Sequence, residues 1–223
     1  MARRNDHSRA QIYDLVMSAA RQIVETDGYK ALSARSVADA IGYSAGTLYN
    51  VFENLDDLIL HLNGTTLDAL RIEVANIPLT GNPFLDLDCL LECYLAFLEE
   101  HPNLWRAITD FSVPQGNSLP DWYTQKVQTV LSVVERALAP AYEGIEARNI
   151  NDSSPFSSAR VLWAGLHGIC SLSDAGKLDV LEMGSVRSMA KILTKNFIAG
   201  IEARKTSDKA ASSYSNLKTD GNQ

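Results

Sequence analysis

From Ser8 to about Lys205 the apolar side chains return every three or four residues, and in no stretch do they alternate as a half-buried strand would require. That period leaves few architectures open. Ile12, Leu15, Val16, Ala19, Ala20, Ile23 and Val24 make one stripe of a helix from Ser8 to about Thr26, which Asp27-Gly28 stops. Ser33 is a good N-cap for a second helix carrying Val37, Ala38 and Ile41, and Gly42 ends it. Ser44 opens a third helix, Ala45 to about Val51, whose Leu48, Val51 and Phe52 point back at the first two. Asn54, followed by Asp56 and Asp57, opens a long fourth helix. Asn82-Pro83 starts the next, after a break from Pro78 to Pro83 that reads as a seam. Further periodic stretches cover roughly 83–100, 103–112, 119–139, 156–176 and 182–204, divided by signals such as Pro114 to Asn117 and Asn151 to Pro155. The expected fold is all-α, with a three-helix domain over 8–53 and a roughly six-helix body over 54–205. The polar run 206–223 is expected to be a disordered tail.

With 223 residues, 46% of them hydrophobic, the chain can bury a substantial core without disulfide or metal support. Cys89, Cys93 and Cys170 are too few and too irregular for a secreted disulfide framework and read as reduced thiols. The richest apolar run, Val161 to Leu172, holds His167 and is shorter than the roughly 18 residues of a membrane span. A cytoplasmic protein without a membrane partner is expected. The net charge of -7 opposes binding to phosphate, but its distribution qualifies that. Residues 1–53 carry six basic and six acidic side chains, so the whole deficit lies in the other 170. Arg3, Arg4 and Arg9 are either an arm for a phosphate or minor groove, or a solvated tail.

Leu32 to Phe52 is the informative segment. A helix-turn-helix needs a small residue inside its first helix (Ala38), a residue tolerant of positive φ in the turn (Gly42), and apolar residues that lock the second helix (Ile41, Leu48). The second helix then offers its leading end to the major groove, with Tyr43, Ala45, Gly46, Thr47, Tyr49 and Asn50 on its exposed side. Tyr43, Thr47 and Tyr49 have no core-forming reason to stand there.

Ala19-Ala20, Gly28, Val37-Ala38, Gly42-Tyr43-Ser44-Ala45-Gly46-Thr47-Leu48-Tyr49, Phe52 and Asp56-Asp57-Leu58 together resemble the N-terminal domain of TetR/AcrR-family regulators over about residues 8–60. The resemblance implies a DNA-binding head on a dimerising, ligand-binding body. It implies that Thr47 and Tyr49 hold phosphates, while Tyr43, Ala45, Gly46 and Asn50 lie nearest base edges. Many members carry lysine where Leu55 stands here, so Asn54 or the bare helix start substitutes for that contact. The full candidate DNA-binding set adds Arg4, Ser33, Arg35 and Ser44.

In the body, Leu162, Leu166 and Ile169 on one helix and Met189, Leu193 and Phe197 on the last form stripes suited either to a two-fold four-helix interface or to packing within the chain. Trp163 to Gly168 also resembles the Trp-His-Gly signature of one C-terminal subclass of the family. Tyr94, Phe97, Trp105, Phe111, Trp122, Trp163 and His167 are the candidate wall of an effector cavity, although any one of them also serves as ordinary core. Cys89 and Cys93, one helical turn apart, are either buried small hydrophobes or a sensor for metal or oxidation. No phosphate loop, nucleophile elbow or zinc-protease motif occurs, so neither catalytic residues, a metal nor a cofactor is expected. The expected function is a homodimeric repressor on a pseudo-palindromic duplex operator, released by a small hydrophobic effector. The alternative is a DNA-binding protein whose body contacts a protein partner instead.

Overall fold

The computed structural model describes residues 7–113, 116, 118–144, 154–178 and 184–219, with side chains of the last helix described to Thr206. Arg3 and Arg4 lie outside the described residues, as does most of the two turn segments expected at 114–117 and 151–155. Among the described residues there is no strand, and the α-helices are α1 Arg9–Asp27, α2 Ala34–Ile41, α3 Ala45–Leu48, α4 Leu55–Ala75, α5 Pro83–Glu100, α6 Pro102–Asp110, α7 Asp121–Leu138, α8 Pro155–Asp174 and α9 Val186–Thr219. The all-α expectation is met, three helices before residue 54 and six after it. Two boundaries differ. α3 ends at Leu48 instead of near Val51, and Asn50 and Val51 take tight turns, their N–H groups reaching the carbonyls of Thr47 and Leu48. α9 continues through 206–219, the segment expected to be disordered, because a helix already nucleated propagates readily through Lys, Ala and Ser.

Local signals fix the helix starts. Ser8 and Gln11 form a reciprocal cap on α1, and Ser33 and Ser36 do the same on α2. Each pair satisfies two of the N–H groups that a helix start leaves without partners. Asn82 Oδ1 accepts the N–H of Phe84 at 3.0 Å, the cap that its position before Pro83 led one to expect.

The chain divides into two compact units: the first takes residues up to Ile72 with Ala96–Val127, the second Glu73–Leu95 with the residues from Gln128 on. The first holds the head. Val16, Ala20 and Val24 of α1, Val37 and Ala38 of α2, and Leu48 and Phe52 share a core with Leu58, Ile59 and Leu62 of α4 and with Leu104 and Ala107 of α6. At roughly 1.5–3 kcal/mol per large buried aliphatic or aromatic side chain, α4 and α6 contribute as much to this core as α2 does. The unit therefore runs past residue 53, where the sequence led one to expect a domain boundary. Two amide side chains tie it further: Asn63 Nδ2 donates to the carbonyl of Ala107 at 3.0 Å, and Asn103 Nδ2 to that of Glu25 at 2.9 Å.

In the second unit α8 and α9 pack directly, and Gly165 makes their closest approach possible, since a Cβ there would stand 2.8 Å from Leu193 Cδ2. Charged pairs flank the helices. Glu92 of α5 meets Arg187 and, at 2.7 Å, Lys191 of α9, while Arg160 of α8 reaches Glu135 of α7 at 2.7 Å. Asp86 is only 2% exposed, and its carboxylate accepts the N–H and hydroxyl of Thr80 at 2.8 and 2.7 Å and the N–H of Gly81 at 3.0 Å. Burial alone would raise this carboxyl, but those donors hold it below the ordinary carboxylate range. A carboxylate lowered in the folded state stabilises above its unfolded pKa, and that contribution is lost as pH falls through the folded value. Asp86→Ala is therefore expected to cost about 2 kcal/mol of unfolding free energy at neutral pH, with the difference from the parent chain shrinking below about pH 4. Urea unfolding at the two pH values checks this, and equal midpoints at neutral pH would rule the anchor out.

Candidate nucleic-acid interface

The turn between α2 and α3 sets the geometry. Gly42 sits at φ +72° and ψ +31°, its N–H reaching the carbonyl of Asp39 at 3.3 Å, and the N–H of Tyr43 reaches that of Ala38 at 3.0 Å. This paired closure needs a residue in the left-handed region, which glycine enters without a Cβ penalty. The space beside Gly42 is open, so the requirement is conformational rather than steric. Immediately after the turn, Leu48 (2% exposed) and Phe52 (3%) enter the core and pin α3 against α1 and α2.

The opposite side of α3 faces water. Ser44, Gly46, Tyr49 and Asn50 are exposed and Tyr43, Ala45 and Thr47 are half-buried, with the Tyr49 ring 52% exposed. A tyrosine left that far in solvent adds little to stability. The Ser44 and Thr47 hydroxyls lie 3.1 Å apart, so Ser44 bonds to a side chain rather than capping α3 through its own hydroxyl. From Tyr43 to Asn50 only Leu48 is buried.

The other expected members stand differently. Ser33's hydroxyl accepts the Ser36 N–H at 3.0 Å and is engaged in capping α2. Arg35 is almost wholly exposed, with Asp39 3.8 Å from its guanidinium, a surface pair of little net strength. Asn54 accepts the Asp57 N–H at 2.9 Å, and Asp57 in turn accepts the Glu53 N–H at 3.0 Å, so Asn54 caps α4. His7 was not singled out from the sequence, yet its Nδ1 lies 2.6 Å from the Tyr43 hydroxyl, the rings meeting edge to face. Thirty-six residues separate the two, and no local sequence signal joins them.

His61 is a second such residue. It stacks on Trp122 at 4.7 Å, meets Tyr13 and Phe52 edge to face, and its Nδ1 lies 3.1 Å from the Tyr13 hydroxyl. Beside this cluster Lys126 and Asp68 form an ion pair at 2.5 Å.

The seven aromatic residues considered for a cavity divide between the units. Phe97, Trp105, Phe111 and Trp122 belong to the first and Tyr94, Trp163 and His167 to the second. Phe97 and Trp105 are buried to 1% and 3%, while Phe111 and Trp122 pack on Leu60, Leu67 and Tyr123. In the second unit His167 stacks on Trp163 at 5.0 Å, and burial lowers its pKa. Its Nδ1 is buried and has no hydrogen-bond partner among the described residues, and the same holds for the Thr194 hydroxyl. Burial also lifts the Tyr94 hydroxyl far above its ordinary value, with Cys170 beside it. Cys89 is exposed, and burial with nearby Glu73 pushes the Cys93 thiol up, away from the reactive thiolate. Among the described residues no group of three or more His, Cys, Asp or Glu is placed to hold a metal, and no helix is long and apolar enough to cross a membrane.

Of the six residues read as a dimer stripe, Leu162 is buried to 4% within one chain and Leu193 packs over Gly165 of the same chain, while Leu166, Ile169, Met189 and Phe197 are half-buried. Among the described residues, the exposed large apolar side chains of α8 and α9 are Phe156, Val161, Trp163, Leu172 and Ile192, of which Val161, Leu172 and Ile192 are 61%, 38% and 47% exposed.

Comparison with known proteins agrees with this geometry. Residues 16–62 match the model of bacterial regulatory proteins of the tetR family, and residues 87–195 match the tetracyclin repressor-like C-terminal domain. An uncharacterised HTH-type transcriptional regulator of Mycobacterium tuberculosis is 23% identical over 198 residues, covering 88% of this chain and 84% of its own. A Rhodococcus protein of unknown function shares the fold at a TM-score of 0.65 and 18% identity, over 89% of this chain and 98% of its own. So does the transcriptional regulator FadR from Bacillus subtilis, solved in complex with stearoyl-CoA, at a TM-score of 0.57 and 13% identity over 84% and 98% of the two chains. With both halves matched and the helix-turn-helix in place, the chain belongs to the TetR family of DNA-binding transcription regulators, which are not enzymes.

Proposed function

We propose that this regulator is a repressor that binds a pseudo-palindromic operator as a homodimer and is released by a small hydrophobic effector. The observation that carries the proposal is the one-sidedness of α3, with Leu48 in the core and Tyr49 and Asn50 in water. Thr47 and Tyr49 supply sequence-independent phosphate contacts, and Ala45, Gly46 and Asn50 stand nearest the base edges. Two such faces about one DNA turn apart, roughly 34–36 Å, read two half-sites.

The second copy docks on the outward face of α8 and α9. Val161, Ala164, Gly168 and Leu172 are exposed and recur at i, i+3, i+7 and i+11, and Ile192, Ala199 and Ala203 are exposed along α9. Small residues between larger apolar ones let helices approach closely, and an apolar strip of this kind is costly to leave in water. Ligand release draws support from the stearoyl-CoA complex of the fold neighbour and from the buried Nδ1 of His167, a ring stacked on Trp163, which has no hydrogen-bond partner among the described residues. An effector that favours one separation of the heads lowers operator affinity by its differential binding to the two states.

Footprinting the upstream DNA of the chain's own gene, with and without a long-chain acyl-CoA, tests the whole scheme. Protection of two half-sites that the thioester relieves supports it, and protection unchanged by lipophilic compounds removes the effector. Thr47→Ala and Tyr49→Phe are each expected to weaken binding several-fold on every duplex alike, about 1 kcal/mol, whereas Asn50→Ala changes base preference. Anisotropy titrations on operator and scrambled duplexes separate the two behaviours; unaltered preference in the Asn50 variant would displace that residue from the bases. Val161→Glu with Leu172→Arg is expected to give a monomer in sedimentation velocity, with folding retained and operator affinity lost. A persisting dimer would move the interface to another face.

A further inference from the structure

We propose that His7 and Tyr43 form one phosphate-binding unit, in which protonated His7 donates to the Tyr43 oxygen and frees the phenol hydrogen for the DNA backbone. The proposal rests on the reading that the α3 face meets DNA, and it adds a positioning residue and a pH dependence that the helix-turn-helix pattern does not contain.

The geometry starts from placement. Tyr43 follows Gly42 directly, at the entrance to α3, and is half-buried with its hydroxyl on the exposed side. His7 stands just before Ser8, the N-cap of α1, and is exposed. The 2.6 Å separation of Nδ1 and the hydroxyl oxygen admits one hydrogen between them. With a neutral imidazole that hydrogen can be the phenol's own, in which case Tyr43 turns only lone pairs outward, and these repel a phosphate. An imidazolium has two donors and no acceptor, so a charged His7 must donate to the Tyr43 oxygen. The phenol hydrogen then points away from His7, next to a full positive charge, and both features favour a phosphodiester oxygen.

Protonation of His7 and binding of the backbone therefore assist each other, and by linkage each must strengthen the other equally. Tyr43 is the titratable group set against His7. The charged side chains on the adjoining elements are Arg9, Asp14, the Arg21–Glu25 pair and Asp27 of α1 and the exposed Arg35–Asp39 pair of α2. Imidazole is the side-chain group whose ordinary chemistry changes charge between pH 6 and 8. The sign follows: affinity rises as pH falls through the imidazole range. The chain holds three other histidines, His61, His101 and His167, which makes a variant at position 7 the necessary control.

The experiment uses the full chain and a mixed-sequence duplex, since a phosphate contact carries no sequence preference. Fluorescence anisotropy at constant ionic strength is expected to give about three- to tenfold tighter binding at pH 6 than at pH 8. His7→Gln, which still hydrogen-bonds Tyr43 but cannot take a charge, is expected to lose that ratio. In the free protein, Tyr43→Phe is expected to shift the His7 Nδ1 resonance and its titration midpoint in ¹⁵N-detected imidazole spectra. A His7→Gln chain that keeps the parent's pH ratio overturns the proposal and leaves the α3 interface standing, as does a His7 resonance indifferent to Tyr43→Phe. Absence of any salt-sensitive duplex binding at both pH values overturns the interface and the proposal with it.

Discussion

The side of this protein proposed to face DNA depends on the two hydrogen bonds that close α2 at Gly42. A four-residue helix has no stability of its own, because the entropy of fixing a first turn exceeds what one or two backbone bonds return. α3 exists because the left-handed residue at position 42 turns the chain by a fixed amount and Leu48 and Phe52 are then buried in the core. Once those two side chains are inside, the register of the helix decides the rest: Tyr43, Thr47, Tyr49 and Asn50 have nowhere to go but outward. Exposure of the reading residues is thus a consequence of core packing four residues away.

Charge sets the second condition. A chain of net charge -7 does not approach a polyanion through its overall field, so the approach must be local. The first 53 residues are balanced in sign, and the acidic side chains at the start of α4 are turned to structural use, Asp57 accepting the Glu53 N–H. What the interface presents is then mostly neutral donors, the hydroxyls of Ser44, Thr47 and Tyr49 and the amide of Asn50, which suits positioning on a backbone and discrimination at base edges better than raw attraction.

How much was legible in the sequence varied with the range of the interaction. Capping pairs such as Ser8 with Gln11, and Ser33 with Ser36, act over three residues, and the helix starts they mark were readable directly. The period of three to four identified which residues are apolar-faced, but not what covers the face. The spacing of Leu162 and Leu193 suits either a second copy or packing within the chain, and they pack within the chain, because Gly165 lets α9 approach α8 on that side. The seven aromatics were grouped by composition, whereas the fold distributes them between two compact units. His7 with Tyr43, and His61 with Trp122, are pairs between distant stretches, and one sequence holds no record of such contacts.

The aromatic cluster around His61 shows why the head is not a module that ends at residue 53. Phe52 is the last side chain anchoring the recognition segment, and it lies against Tyr13 of α1 at 5.1 Å and against His61 of α4 at 5.5 Å. His61 in turn stacks on Trp122 of α7, and Asp57, 3.6 Å from its Nε2, holds the backbone where α4 begins. A shift of α7 against α4 by even a fraction of an ångström must be taken up in rings packed at van der Waals contact, where close-packed interiors have little compressibility. Gly64 of α4 lies so close to α7 that a Cβ there would stand 3.0 Å from the Trp122 ring and 3.3 Å from Lys126, so α7 has little freedom to move toward α4 beside His61. The segment that would read DNA and the first turns of α7 are therefore mechanically continuous within one compact unit.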